Sequence, residues 1–196
     1  MIIADENKLE AIESLVNKIK TELYNEDAFP FPEFALTNAF TGLLWDETEE
    51  CERGANSWID KEKFLALQKA KELQSDSNSF YIAWASREVD DIGKPKARTI
   101  IELPFDWGLV ESYESELDYH FSQFYVFDDS LTWFLHIDDS VLLAGTKTFI
   151  DMFIKCIGGM DNAEKMFDTY LNKTSSVDVT DWVRQIKNHF LSNLQN

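Results

Sequence analysis

From Ser122 to Ile157 the chain reads SQFYVFDDSLTWFLHIDDSVLLAGTKTFIDMFIKCI, and two short segments within it are apolar at nearly every position. Phe124 and Val126 point to one side of a strand, Tyr125 and Phe127 to the other. Trp133, Leu135 and Ile137 alternate in the same way with Thr132, Phe134 and His136. A strand that is apolar on both faces has to be covered on both. Asp128-Asp129-Ser130 between the two segments is turn chemistry. The stretch therefore predicts an antiparallel hairpin at the centre of a sheet. Val141–Ala144 allows one further short strand. Gly145-Thr146-Lys147-Thr148 then leads into a helix with Phe149, Ile150, Phe153, Ile154 and Ile157 on one face. Thr148 with Asp151 reads as its capping arrangement, and Gly158-Gly159 as its end.

The flanking sequence supplies helices at both ends. Leu9, Ile12, Val16, Ile19 and Leu23 fall at three- and four-residue steps, which predicts an amphipathic helix over 7–24. Residues 28–44 open with Phe29-Pro30-Phe31-Pro32 and read as an irregular aromatic segment wrapped on the core. A helix is expected from Lys61 to Leu73, with Phe64, Leu67 and the stem of Lys71 inward. Phe80–Ala85 and Arg98–Leu103 read as strands, joined through a hairpin-type connection at Arg87–Pro95. For Leu109–Phe121 the helical template fits better than the strand template, with Val110, Tyr113, Leu117 and Phe121 on one stripe. Two more helices begin near Asp161 and near Thr180. The elements sum to a single α+β domain over residues 1–196. It holds a central antiparallel sheet of about four strands, flanked by N- and C-terminal helices.

Composition limits the partners. Lys and Arg number 18 against 36 Asp and Glu, a formal charge of -18, and such a field repels nucleic acid and anionic membrane and speeds capture of basic proteins. Cys51 and Cys156 make no disulfide framework and fit reduced thiols in the cytoplasm. The first residues, MIIADENKLEAIE, lack the basic and apolar regions of a signal peptide, and no apolar run is long enough to span a bilayer.

Catalytic patterns are missing from the sequence. Cys51 stands among acids, which disfavour a thiolate, and Cys156 lies beside the apolar face of a helix. There is no Gly-x-Ser-x-Gly elbow, no phosphate-binding glycine loop and no Cys-x-x-Cys. His120, His136 and His189 have no histidine partner at helical spacing. Asp128-Asp129 and Asp138-Asp139 bracket one strand, but match no calcium loop and read as solvated turns. Neither catalytic residues, nor a metal site, nor a cofactor is expected.

What remains is acid in clusters. Asp46, Glu47, Glu49, Glu50 and Glu52 form one, Asp90 and Asp91 a second, and Glu111, Glu114, Glu116 and Asp118 a third. These are the candidate partner-binding residues, because several loops of one sign steer a basic partner.

The segment Phe124–Ile150 runs as an aromatic strand ending in Asp128, then Thr132-Trp133, Asp138-Asp139, Leu142-Leu143-Ala144-Gly145 and Thr148-Phe149-Ile150. In this it resembles the immunity proteins of bacterial polymorphic-toxin and contact-dependent growth inhibition systems. The resemblance implies a small cytoplasmic inhibitor that binds a cognate toxin domain, often a basic nuclease, and blocks its active site or substrate groove. Two other readings stay open: a hydrolase working through paired carboxylates, and a mimic of DNA charge that blocks DNA-binding proteins.

Overall fold

The computed structural model describes residues 2–3, 5–19, 40–46, 59–84, 91–92, 99–114, 124–137, 140–174 and 177–194. Six strands form one antiparallel sheet: β1 (Thr41–Asp46), β2 (Ser79–Trp84), β3 (Ile100–Pro104), β4 (Phe124–Phe127), β5 (Trp133–Ile137) and β6 (Ser140–Gly145). Their order is β1-β6-β5-β4-β2-β3. The described helices are α1 (Glu6–Ile19), α2 (Lys61–Lys71), α3 (Trp107–Glu114), α4 (Lys147–Cys156), α5 (Met160–Lys173) and α6 (Val177–Leu194). The α+β class and the central hairpin are as the sequence predicts. β4 and β5 pair Phe124 with Ile137 and Val126 with Leu135, and every residue of both strands is buried.

The expected count of about four strands is corrected to six. β6 runs the full six residues from Ser140, and β1 lies in the segment read as irregular. Gly42 weakens the strand signal of β1. In the fold it permits close packing: a Cβ there would lie 3.0 Å from Leu142 Cδ1 and 3.7 Å from Ile186 Cγ2 of α6. α1 is described from Glu6 to Ile19, so the expected continuation through residues 20–24 lies outside the described residues. Of the helix expected over Leu109–Phe121, Trp107–Glu114 is described.

Strand alternation sorts the core into two layers. Trp133, Leu135, Val126, Leu143, Leu43 and Trp45 share the first face. α2 and α4 cover it: Phe149 stacks on Trp133 at 5.8 Å between ring centroids, and Phe153 on Trp45 at 6.2 Å. The second face carries Phe134, His136, Tyr125 and Leu142. Ile186 of α6 reaches it at Gly42, and α1 reaches it at Tyr81, where Lys8 Nζ lies 5.8 Å from the ring. The chain thus passes from the first face to the second through α5, which packs along β1 with α6. At the opposite edge Ile2 bridges Ile101, and the Ile3 N–H donates to the Ile100 carbonyl at 3.1 Å.

Local chemistry sets the helix ends. The side chain of Asp60 accepts from the Lys63 N–H at 2.7 Å and opens α2, while Asp106 accepts from the Leu109 N–H at 3.1 Å at the start of α3. The cap of α4 is Thr146, whose Oγ1 accepts from the Phe149 N–H at 3.3 Å, and not Thr148. Capping requires the residue just outside the helix, and α4 starts one residue before Thr148. Gly158 and Gly159, at φ of 99° and 94°, join α4 to α5. With ψ of -175°, Gly159 occupies a region open essentially to glycine alone. Gly159→Ala is expected to cost about 1–3 kcal/mol, read as a lowered urea midpoint at unchanged slope. A midpoint equal to wild type would show that this link relaxes freely.

One ion pair ties α1 to the sheet. Lys8 Nζ donates to Glu102 Oε2 at 2.6 Å, and Ser79 Oγ donates to Glu102 Oε1 at 2.9 Å. The bond from Lys8, with Ser79 adding to it, holds the Glu102 carboxyl below its ordinary range, against the opposing effect of partial burial. The same bond holds the Lys8 ammonium above its ordinary value. The stabilisation from Glu102 is therefore present above the unfolded-state carboxyl pKa and fades as pH falls through the lowered folded-state value. Conversely, that from Lys8 is complete below the unfolded-state lysine pKa and fades as pH rises through the raised one. Both side chains are partly exposed, so the effect is small. The protection of α1 amides, relative to their intrinsic exchange rates, is expected to fall at acid pH in the wild type and less so in Lys8→Gln. Identical acid profiles would remove the tether.

Candidate functional site

Strand register places a row of unlike residues across one end of the sheet. Thr41 pairs with Gly145, and Gly145 with Trp133. Phe127 pairs with Phe134 and with Tyr81, so one step further the alternation sets Asp128 between Trp133 and Phe80, and Phe80 pairs with Leu103. The row lies on the first face. In it Thr41 Oγ1, Trp133 Nε1 and Asp128 Oδ2 are buried and have no hydrogen-bond partner among the described residues. Buried polar atoms are rarely left in this state, so three in one row mark the place.

Asp128 is fully buried although it begins a turn. Its Oδ1 accepts from the Ser130 N–H at 3.0 Å and from Ser130 Oγ at 2.5 Å, an arrangement that folds the chain back on itself. Leu131, in the same turn, has a φ of 48°. On the same face lies a crevice lined by Phe64, Leu67, Phe80, Phe105, Val126 and Trp133. It is too narrow to hold a water molecule. Phe105 is its half-buried outer wall, 5.0 Å from Phe80 and 6.1 Å from Trp133 by ring centroids. Lys71 Nζ lies 4.9 Å from the Phe105 centroid and donates to the Ser77 carbonyl. The sequence expected the Lys71 stem to turn inward, and the residue is 5% exposed.

Four connections meet around this end and hold it closed. Thr146 Oγ1 donates to Gln74 Oε1 at 2.6 Å, the Thr146 N–H to the Thr132 carbonyl at 2.9 Å, and the Phe105 N–H to the Asn78 carbonyl at 3.1 Å. The same connections carry exposed Asp76, Asp106 and Asp129. Burial first, then Glu102, Asp129 and Asp128, push the Tyr81 hydroxyl above its usual range, opposed by Lys8.

The acids singled out in the sequence are distributed differently. Asp46 ends β1, Asp91 is exposed in a turn with Ile92, Glu111 is exposed on α3 and Glu114 ends that helix. Glu47, Glu49, Glu50, Glu52, Asp90, Glu116 and Asp118 lie outside the described residues. Of the histidines, His136 is buried 5.1 Å from the Tyr125 ring, and His189 Nε2 is 2.8 Å from the Phe40 carbonyl. His120 lies outside the described residues. Cys156 is a free, half-buried thiol, and Cys51 lies outside the described residues. Among the described residues no group of three or more His, Cys, Asp or Glu side chains is placed to hold a metal ion. No described helix is long and apolar enough to cross a membrane.

Asp128 is the residue that sequence reasoning passed over, because an Asp-Asp-Ser turn reads as solvated. The available signal was parity: Asp128 continues the series Phe124, Val126 and so shares their face. Nothing in the pattern pointed to Phe105 as a wall. Set against family models, curated proteins and solved structures, the chain matches none.

Proposed function

We propose that the chain is a cytoplasmic immunity protein that binds and neutralises a basic toxin domain, with no catalysis of its own. One observation carries this reading: the chain has a formal charge of -18, and of the carboxylates whose burial is described only Asp128 is buried. Charges set outward generate a field over the whole surface and attract a basic protein from a distance. A hydrolase of the carboxylate type would instead draw two acids into one cleft, whereas the crevice here is walled by aromatic and aliphatic side chains. A nuclease with a basic substrate groove is the partner that such a field suits best, and occlusion of that groove is the mode of inhibition.

The test is co-expression with the product of the neighbouring reading frame that carries a variable C-terminal domain. A one-to-one complex that suppresses the domain's activity is the expected outcome. Separate elution, with the domain fully active at equimolar protein, would end the reading.

A further inference from the structure

Residues 105–112, which leave β3 and form most of α3, combine apolar and acidic surface within two turns of chain. Phe105 and Trp107 rest on Phe64, at 6.3 and 5.6 Å between ring centroids, and each keeps part of its surface exposed. Leu109 is 49% exposed, with exposed Asp106, Gly108, Glu111 and Ser112 around it. Two of these neighbours are held in place: Asp106 Oδ1 accepts from the Leu109 N–H at 3.1 Å, and Ser112 Oγ donates to the Leu109 carbonyl at 3.0 Å. Buried Val110 and the packing of α3 against α2 and β3 fix the helix on the core. An apolar centre with a polar rim on a fixed element is the anatomy of a protein-binding patch.

Charge selects the partner. Between Arg98 and Lys147 the chain has ten Asp and Glu and no Lys or Arg, whereas the remainder sets 26 acids against 18 bases. The one-sign field is therefore concentrated where this patch lies. Exposed Asp129 is at the same end of the sheet as Asp106, since Ser79 pairs with Pro104 and Tyr81 with Phe127. Lys71, whose Nζ is 4.9 Å from the centre of the Phe105 ring, is buried and donates inward to the Ser77 carbonyl. The other exposed large apolar residues, Ile2, Leu65, Leu73, Ile92 and Val177, each have a Lys or Arg within six positions in the chain, and Leu109 has none within ten.

We infer that residues 105–112 are the surface on which a basic protein domain docks, with Leu109, Trp107 and Phe105 at the centre of the contact and Asp106 and Glu111 at its rim. The inference rests on the reading of the chain as an inhibitor of such a domain, and names the face that meets it. The rim acids speed encounter, and the apolar centre, once dried, sets dissociation. A second copy of the chain would bring these acids against acids, which opposes binding.

The experiment uses the full chain and the product of the neighbouring reading frame. Leu109→Ser is expected to speed dissociation by about fivefold or more. Glu111→Gln is expected to slow association and to leave dissociation nearly unchanged. Val177→Ser, at a site 73% exposed on α6, should match the wild type in both rates. A complex that Leu109→Ser and Glu111→Gln leave unaltered removes the surface and leaves the inhibitor reading standing. A second arm needs no partner: the chain labelled with nitrogen-15 is titrated with the peptide acetyl-Lys-Phe-Arg-Lys-amide. Saturable shifts at the amides of residues 106–112, lost in Leu109→Ser, support the surface even where no complex is recovered and the inhibitor reading falls. Shifts spread evenly over the acidic residues overturn it. Concentration-dependent sedimentation of the wild type that Leu109→Ser abolishes would assign the patch to a second copy, and overturns it as well.

Discussion

Replacing Trp133 by alanine should destabilise the protein by about 3–5 kcal/mol, a fall in melting temperature of roughly 10 °C for a chain of this size. The indole is fully buried in the third of six strands, stacked on Phe149 at 5.8 Å with 10° between the ring planes. It also abuts Phe105, so truncation opens a cavity bounded by α4 on one side and the β3–α3 connection on the other. Neither can collapse easily: Gly145, its neighbour in β6, already has Phe149 so close that a Cβ there would sit 2.8 Å from its Cδ1. Leu73→Ala, at a site 53% exposed, serves as the comparison and should change little. A Trp133→Ala protein that melts with the wild type would show that the hairpin does not anchor the sheet.

Association with the cognate domain should slow by an order of magnitude or more between low and physiological salt. Steering by surface charge raises on-rates by about 10–10³ and is screened over a Debye length near 8 Å at physiological ionic strength. Reversing Glu47, Glu49 and Glu50 to lysine, or Glu111, Glu114 and Glu116 to lysine, is expected to slow association in at least one of the two sets. Stopped-flow mixing at two salt concentrations reads both effects. An on-rate indifferent to salt and to both sets of reversals would reduce the charge of -18 to a matter of solubility.

The sequence was most informative where period and burial coincide. β4 and β5 are apolar at consecutive positions, and both were legible as central strands with the correct turn between them. α4 showed its apolar face because Phe149, Ile150, Phe153 and Ile154 repeat at helical spacing, and all four are buried. β1 was hidden, because Gly42 breaks the strand signal and the side chains that justify it come from α6, far away in sequence. The crevice was hidden for a related reason. Its walls come from α2, β2, β4, β5 and the residue after β3, and no local pattern connects Phe64 to Phe105 or Trp133. Asp128 shows the limit most clearly: residue type said water, while position in the alternation said core.

At the β3 margin the chain supplies its own partner. Ile2 and Ile3 hydrogen-bond along β3, while α5 and α6 pack on β1. Strands left bare at a margin recruit strands from other molecules, which leads to swapped dimers and fibrils. The inhibitor proposed above would have to outnumber its target, and so to tolerate accumulation. The bridge along β3 leaves less of that margin open to self-pairing at the concentrations such accumulation would reach.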